Sequence, residues 1–254
     1  MKSATDVHWN ERAATVKDDV EVNIMDIFQR EIEYDYVCRY LTAEMRLLEV
    51  GCGNGFSTAR FRPLVRHVDA FDYAENMIDR ARARVGETNN RFFVDNVLAP
   101  ASMGSAYDGV VCIRVLINLR NLSEQRAALE NLDRVLKPGG LFMLAEGFRE
   151  GFAALSELRQ RVGLPPVQPA SINVYSAQEE LLPFFRAGYE PVDEFHLGSY
   201  DYLTRIVYPL IVGAENAKHN TVFSEKCAQL ARQHNPECMK EFSRMRGFVF
   251  RKRR

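Results

Sequence analysis

The chain has 254 residues, with 33 Lys and Arg against 34 Asp and Glu, and is 46% hydrophobic and 11% aromatic. That composition is the average of soluble globular proteins and excludes collagenous, disordered and membrane-spanning classes. A formal charge of −1 gives no whole-chain field to recruit nucleic acid or an anionic membrane, so any partner must be recognised locally.

Taken in chain order, Ile24, Phe28, Ile32, Tyr36 and Tyr40 recur every four positions and predict one apolar face of a helix over 18–41. The apolar run 45–50 reads as a first strand entering a glycine cluster, 57–65 as a helix and 67–71 as a second strand. The alternation continues with a helix over 74–85, strands at 91–94 and 108–113, a helix over 123–136 and a strand at 141–145. Lys137-Pro138-Gly139-Gly140 is expected to end the helix before that strand, since proline cannot continue it and glycine accepts a left-handed backbone. Strands alternating with helices of this length pair in parallel, so the predicted class is α/β with a doubly wound, mostly parallel sheet. Beyond Glu146 follow a helix over 150–162, a proline-rich loop at 164–169, a helix over 177–187 and strands at 190–197 and 247–252. The stretch between those last strands is longer than a hairpin needs and reads as an inserted helical cap.

The five cysteines, Cys38, Cys52, Cys112, Cys227 and Cys238, form no C-x-x-C pair and no zinc-type spacing with histidine, so no metal is expected and a reducing compartment is the simpler reading. The first residues are polar and lack the apolar stretch of a secretory signal, and the expected location is the cytoplasm. The apolar run 208–214 is far shorter than the roughly 20 residues that span a bilayer. The basic tail at 251–254 is short and reads as solvated rather than as a nucleic-acid patch.

Glu49-Val50-Gly51-Cys52-Gly53-Asn54-Gly55 lies where the first predicted strand meets a helix, the crevice in which open α/β sheets bind ligands. Glycines there let the chain turn sharply and let a ligand approach the backbone. A dinucleotide fingerprint would need a further glycine where Phe56 stands, so that pattern fails by one position. Asp72 closes the second predicted strand, where an acidic side chain can accept both hydroxyls of a ribose.

Together with Val94-Asp95-Asn96, Tyr107-Asp108-Gly109-Val110-Val111 and Leu136-Lys137-Pro138-Gly139-Gly140, these motifs make 47–146 resemble class I S-adenosylmethionine-dependent methyltransferases. Arg114-Val115-Leu116-Ile117-Asn118-Leu119 and the C-terminal portion are similar to bacterial small-molecule members of that family. The resemblance implies a Rossmann-like, seven-stranded sheet with S-adenosyl-L-methionine as cofactor and S-adenosyl-L-homocysteine as product. It implies that Gly51, Gly53 and Gly55 approach the amino-acid end of the cofactor, with Cys52 packing inside the turn and Glu49 orienting turn and ammonium. Asp72 would bind the ribose, Tyr73 and Met77 would pack near the adenine, Asp95 and the Asn96 backbone would hydrogen-bond its edge, and Cys112 and Ile113 would line the methionine portion. The family often carries a histidine near the position of Asn118, which is absent here.

One domain over 1–254 is therefore expected: an N-terminal lid and helix at 1–42, a cofactor-binding core at 45–146, and an acceptor-side half at 147–254 with the helical insertion at about 199–245. Trp9, with Asn10 and Arg12, is the candidate lid. Glu146, at the ligand side of the fifth strand, and His196 are the candidate catalytic groups, each set against a packed, structural role. Arg114, Asn118, Tyr175, Tyr200 and Tyr202 are the candidate substrate contacts, with Tyr208 in the same region. The expected reaction is methyl transfer to a small-molecule acceptor, with oxygen preferred as the accepting atom and a sugar, quinone or polyketide-like metabolite as its carrier. RNA or protein methylation, a catalytically silent cofactor-binding scaffold and, last, a nicotinamide oxidoreductase stand as alternatives.

Overall fold

A computed structural model describes residues 4–16 and 25–253 of the chain. An N-terminal helix α1 (Ala4–Thr15) and helix α2 (Ile27–Cys38) precede strand β1 (Arg46–Val50). There follow α3 (Phe56–Phe61), β2 (His67–Asp72), α4 (Glu75–Val85), β3 (Asn90–Val94), β4 (Tyr107–Ile113), α5 (Leu122–Val135) and β5 (Leu136–Gly147). The second half runs through α6 (Arg149–Arg161), α7 (Gln178–Leu181), α8 (Pro183–Gly188), β6 (Tyr189–His196), α9 (Gly198–Tyr202), α10 (Tyr208–Val212), α11 (Val222–Gln233) and β7 (Met245–Lys252). The sheet has seven strands in the order β3-β2-β1-β4-β5-β7-β6. β1 to β5 run parallel, and β7 is antiparallel to both of its neighbours.

Both faces of this sheet are covered, and the period-2 geometry of the strands divides the core accordingly. Leu48, Val110 and Phe142 pack on one side, and Leu47, Val111 and Met143 on the other. The helix expected over 18–41 is observed from Ile27; Ile24 and the rest of 17–24 lie outside the described residues. Phe28 and Ile32 turn toward Tyr200, Cys227 and Ala228 of the cap, whereas Tyr36 stacks on Phe195 of β6. Leu136-Lys137-Pro138-Gly139-Gly140 differs from its expectation, because α5 ends at Val135 and these residues are drawn into β5, Leu136 pairing with Tyr107. The helix expected at 177–187 is two short helices, since Pro183 lacks the N–H that would join them.

The insertion between β6 and β7 is helical as expected, with one irregularity. Between α9 and α10 the chain forms a π-helical segment, Leu203–Val207. Arg159 of α6 donates to the carbonyl oxygen of Pro165 and to that of Arg205 within this segment. Among the described residues no helix is long and apolar enough to cross a membrane, and no group of metal-ligating side chains assembles.

Candidate active site

The parallel register sets Val50 beside Phe71 and Cys112, so the segments leaving β1, β2 and β4 open at one edge of the sheet. They surround a cavity of about 770 Å³, which α1, α2 and the insertion close from above. The glycine turn supplies its floor. Gly51 sits at a φ of +65°, and a Cβ on it would fall 2.6 Å from Val115 Cγ2, so only glycine fits between the turn and the loop after β4. Gly55 is left-handed as well, but its absent Cβ makes room for Ala81 of α4 at 3.1 Å; it serves helix packing and does not line the cavity.

Three carboxylates organise this half without a cation in direct contact. Glu49 accepts from the hydroxyls of Ser57 and Thr58, the latter at 2.6 Å, and burial pushes its carboxyl up to about 7. Asp72 accepts from the backbone N–H of Gly53 at 3.0 Å and of Ala74 at 2.9 Å, and burial raises it to about 6. Each Asp72 oxygen keeps a second lone pair, so the residue can hold the turn and still accept a diol. Glu146 accepts from the N–H groups of Val115 and Leu116, both at 2.8 Å, and burial raises it to about 8. Asp95 differs, because its carboxylate takes N–H groups from Asn96, Ala101, Ser102 and Met103 and thereby shapes the loop after β3. Tyr73, Met77, Asp95, Asn96 and Ile113 line the cavity, whereas Cys52 and Cys112 are buried behind it.

The other end of the cavity is built on one face of α2. Asp26, its N-cap, accepts from the Gln29 N–H at 3.1 Å, and Gln29 donates its side-chain amide to Glu33 at 3.1 Å. Each of these residues engages an arginine from elsewhere. Glu33 takes Nε and Nη2 of Arg114 at 3.0 and 2.6 Å; Asp26 takes Nη2 of Arg205 at 2.7 Å; Gln29 takes Nη2 of Arg244 at 3.1 Å. Arg244 is also held by Asp201 at 2.6 Å. Burial works to raise the Asp26 carboxyl, and His219, Arg205, Tyr200 and the Gln29 N–H overcome it, leaving the group far below the usual range. Burial likewise works to lower Arg114, and the Glu33 charge outweighs it and fixes the guanidinium charged.

The two candidate catalytic groups do not reach the cavity. Glu146 is 1% exposed and buttresses the 114–117 loop from behind. His196 ends β6 with Nδ1 facing the Gly198 N–H and Nε2 facing Glu237, and burial lowers its pKa. Among the substrate candidates, Arg114 and Asn118 line the cavity, and the three tyrosines do not. Tyr175 packs on Phe152, Tyr200 is fully buried and donates to Asp26 at 2.7 Å, and Tyr202 packs against Phe242. Tyr175 lies in the loop before α7 and accepts from Asn173, whereas Tyr200 and Tyr202 belong to α9. Trp9 and Arg12 line the cavity as a lid would, with the Trp9 indole donating to Asn118 at 3.3 Å; the Asn10 side chain lies outside the described residues.

Sequence reasoning missed Asp26, Gln29, Arg205, His219 and Arg244. The one available signal was the spacing of Asp26, Gln29 and Glu33, which places polar groups on one helical face beside the apolar one.

Residues 47–140 match a family profile described as "Methyltransferase domain". Nodulation protein S of Rhizobium tropici is 33% identical over 93 residues, 37% of this chain and 39% of that protein. Malonyl-[acyl-carrier protein] O-methyltransferase of Bacillus cereus is 30% identical over 122 residues, 47% of this chain and 44% of that protein. The chain thus spans about two fifths of the length of the curated relatives it matches. In overall fold it resembles the N-methyltransferase NodS of Bradyrhizobium japonicum in complex with S-adenosyl-L-homocysteine, with a TM-score of 0.59 and 16% identity over 97% of this chain and 98% of that one. Over residues 47–140 the chain matches a methyltransferase domain, and its overall fold is of the same type as that of the neighbour bound to S-adenosyl-L-homocysteine.

Proposed function

We propose that this protein transfers the methyl group of S-adenosylmethionine to a small-molecule acceptor, at an oxygen that reaches the site already ionised or acidic. One observation supports this most: a single cavity of about 770 Å³ runs from the Gly51–Asp72 cradle to a wall that carries Arg114, Arg205 and Arg244, a volume suited to a cofactor and a small molecule. When bound, the cofactor would supply a methyl carbon already attached to a sulfonium leaving group. The chain's own work is to hold and orient. Gly51 and Gly53 offer backbone, Asp72 the ribose acceptor, and Met77 and Tyr73 an apolar wall. Such positioning supplies on the order of 7–11 kcal/mol of a barrier.

Among the described residues, the carboxylates lining the acceptor chamber are already engaged, Asp26 by Arg205 and Glu124 by Arg120. His219 Nδ1 lies 2.9 Å from Arg205 Nη1 and 3.4 Å from Asp26 Oδ2, so this nitrogen is already engaged within the chamber wall. An acceptor held here must therefore arrive ready to react, which favours an acidic hydroxyl, an enol or a carboxylate. Nitrogen is the second reading, supported by the likeness of the whole chain to an N-methyltransferase; a neutral amine also needs no base. The test is incubation with ¹³C-methyl-labelled S-adenosylmethionine and fractionated small metabolites. Labelled methyl at an oxygen supports the proposal, label at nitrogen selects the second reading, and label only in macromolecules refutes both.

A further inference from the structure

Three guanidiniums face the acceptor chamber, and their bonding leaves donors pointing into it. Arg114 spends Nε and Nη2 on Glu33, and Arg244 spends Nε and Nη2 on Asp201 and Gln29. Among the described residues the Nη1 of each has no protein acceptor, and neither Nη1 is sealed from solvent. Glu33 and Asp201 are fully buried and lie behind the arginines rather than in the cavity wall. Arg205 spends both terminal nitrogens on Asp26 and His219 and leaves Nε buried with no acceptor. His219 lines the same wall beside Arg205.

Two of these arginines are held by backbone that ordinary packing does not require. Arg114 is a non-glycine residue at a φ of +56°, and Arg205 sits inside the π-helical segment Leu203–Val207. Left-handed non-glycine residues and π turns persist where the surroundings enforce them, and both gather at functional sites. Here each turns a guanidinium toward the chamber, and helix α2 ties the set together through Asp26, Gln29 and Glu33. Three arginines against three carboxylates leave the wall neutral overall. Its offer to a ligand is therefore directional: a fan of N–H donors on one wall of the cavity.

Resting on the methyltransferase reading, we infer that the acceptor carries a carboxylate or phosphate group, and that this group seats against the open donors of Arg114 and Arg244, beside the charged Arg205 that lines the same wall. Anionic oxygens match such a fan because the guanidinium fork fits carboxylate and phosphate bidentately.

The experiment is calorimetric titration of the full chain, saturated with S-adenosylhomocysteine, with inorganic phosphate, with malonate and with methyl glucoside at constant ionic strength. Saturable binding of phosphate or malonate supports the inference, and the tighter of the two says whether a phosphate ester or a carboxylic acid is accepted. Arg205→Met should weaken that anion on the order of tenfold. Arg205→Lys, which keeps a cation opposite Asp26 and so protects the fold, should weaken it less while leaving S-adenosylhomocysteine affinity unchanged. Binding of methyl glucoside with neither anion, or equal anion binding by wild type and both variants, would overturn the inference. Should wild type fail to bind S-adenosylhomocysteine, the methyltransferase reading falls; the same anion titration of the cofactor-free chain still decides the inference.

Discussion

The two ends of one cavity treat buried carboxylates in opposite ways. At the cradle, Glu49, Asp72 and Glu146 are held by hydroxyls and backbone N–H groups, and burial raises them to about 7, 6 and 8. At the acceptor end, Asp26 is as secluded but faces Arg205, His219 and Tyr200 and is driven down. Burial alone therefore does not set the charge state; the partner does. The cradle is poised to gain a positive charge from a ligand, whereas the acceptor end has satisfied its carboxylates internally and turns guanidinium donors outward.

Breaking a neutralised pair should cost most. Glu33→Ala strips the fully buried partner from Arg114, and losing one member of such a pair costs about 3–5 kcal/mol. Denaturant unfolding should register that loss, and a change within error would show that Arg114 re-pairs or reaches water. Asp72→Ala comes next: it removes the acceptor for a ribose diol, and unpaired hydroxyls cost about 1–3 kcal/mol, read as weaker S-adenosylhomocysteine binding in calorimetry. Unchanged affinity would take Asp72 out of the ribose role. Trp9→Ala should raise the Kd for cofactor or acceptor by less than about tenfold, because the hydrogen bond from its indole to Asn118 is long and its ring packs against the cluster of Ala13, Ala74 and Met77.

The smallest effect is on proton balance. A carboxyl whose folded pKa lies above its unfolded value contributes stability that is full below the unfolded pKa and is lost as pH rises through the folded one. Glu49, Asp72 and Glu146 thus predict that the ligand-free protein loses stability between about pH 5 and pH 8. A bound ammonium or sulfonium would favour the ionised cradle, so cofactor binding near neutral pH should release protons. Calorimetry in buffers of different ionisation enthalpy measures this, and proton uptake would contradict the picture of Glu49 and Asp72.

The cradle was legible in the sequence because its constraints are local. A glycine at positive φ, a strand that ends on an acid and a helix that ends before a proline each leave a mark within a few residues, and the parallel pairing of β1 to β5 follows from the alternation of strands and helices. The acceptor end leaves no such mark. Arg205 meets Asp26 across 179 positions and Arg244 meets Gln29 across 215, so neither partner betrays the other in one sequence. Glu146 shows the intermediate case: its place at a strand end was readable, but the three N–H groups that claim it come from a loop whose path only the fold reveals. The cap tyrosines were chosen for their chemistry alone, and packing turned them inward.

The central claim is that the glycine cradle binds S-adenosylmethionine. Titration of the purified chain with S-adenosylhomocysteine, with NAD as control, tests it most directly. The account predicts micromolar binding of the first, lost or weakened in Asp72→Ala, and none of the second. Binding of NAD, or of neither ligand by folded protein, would contradict it.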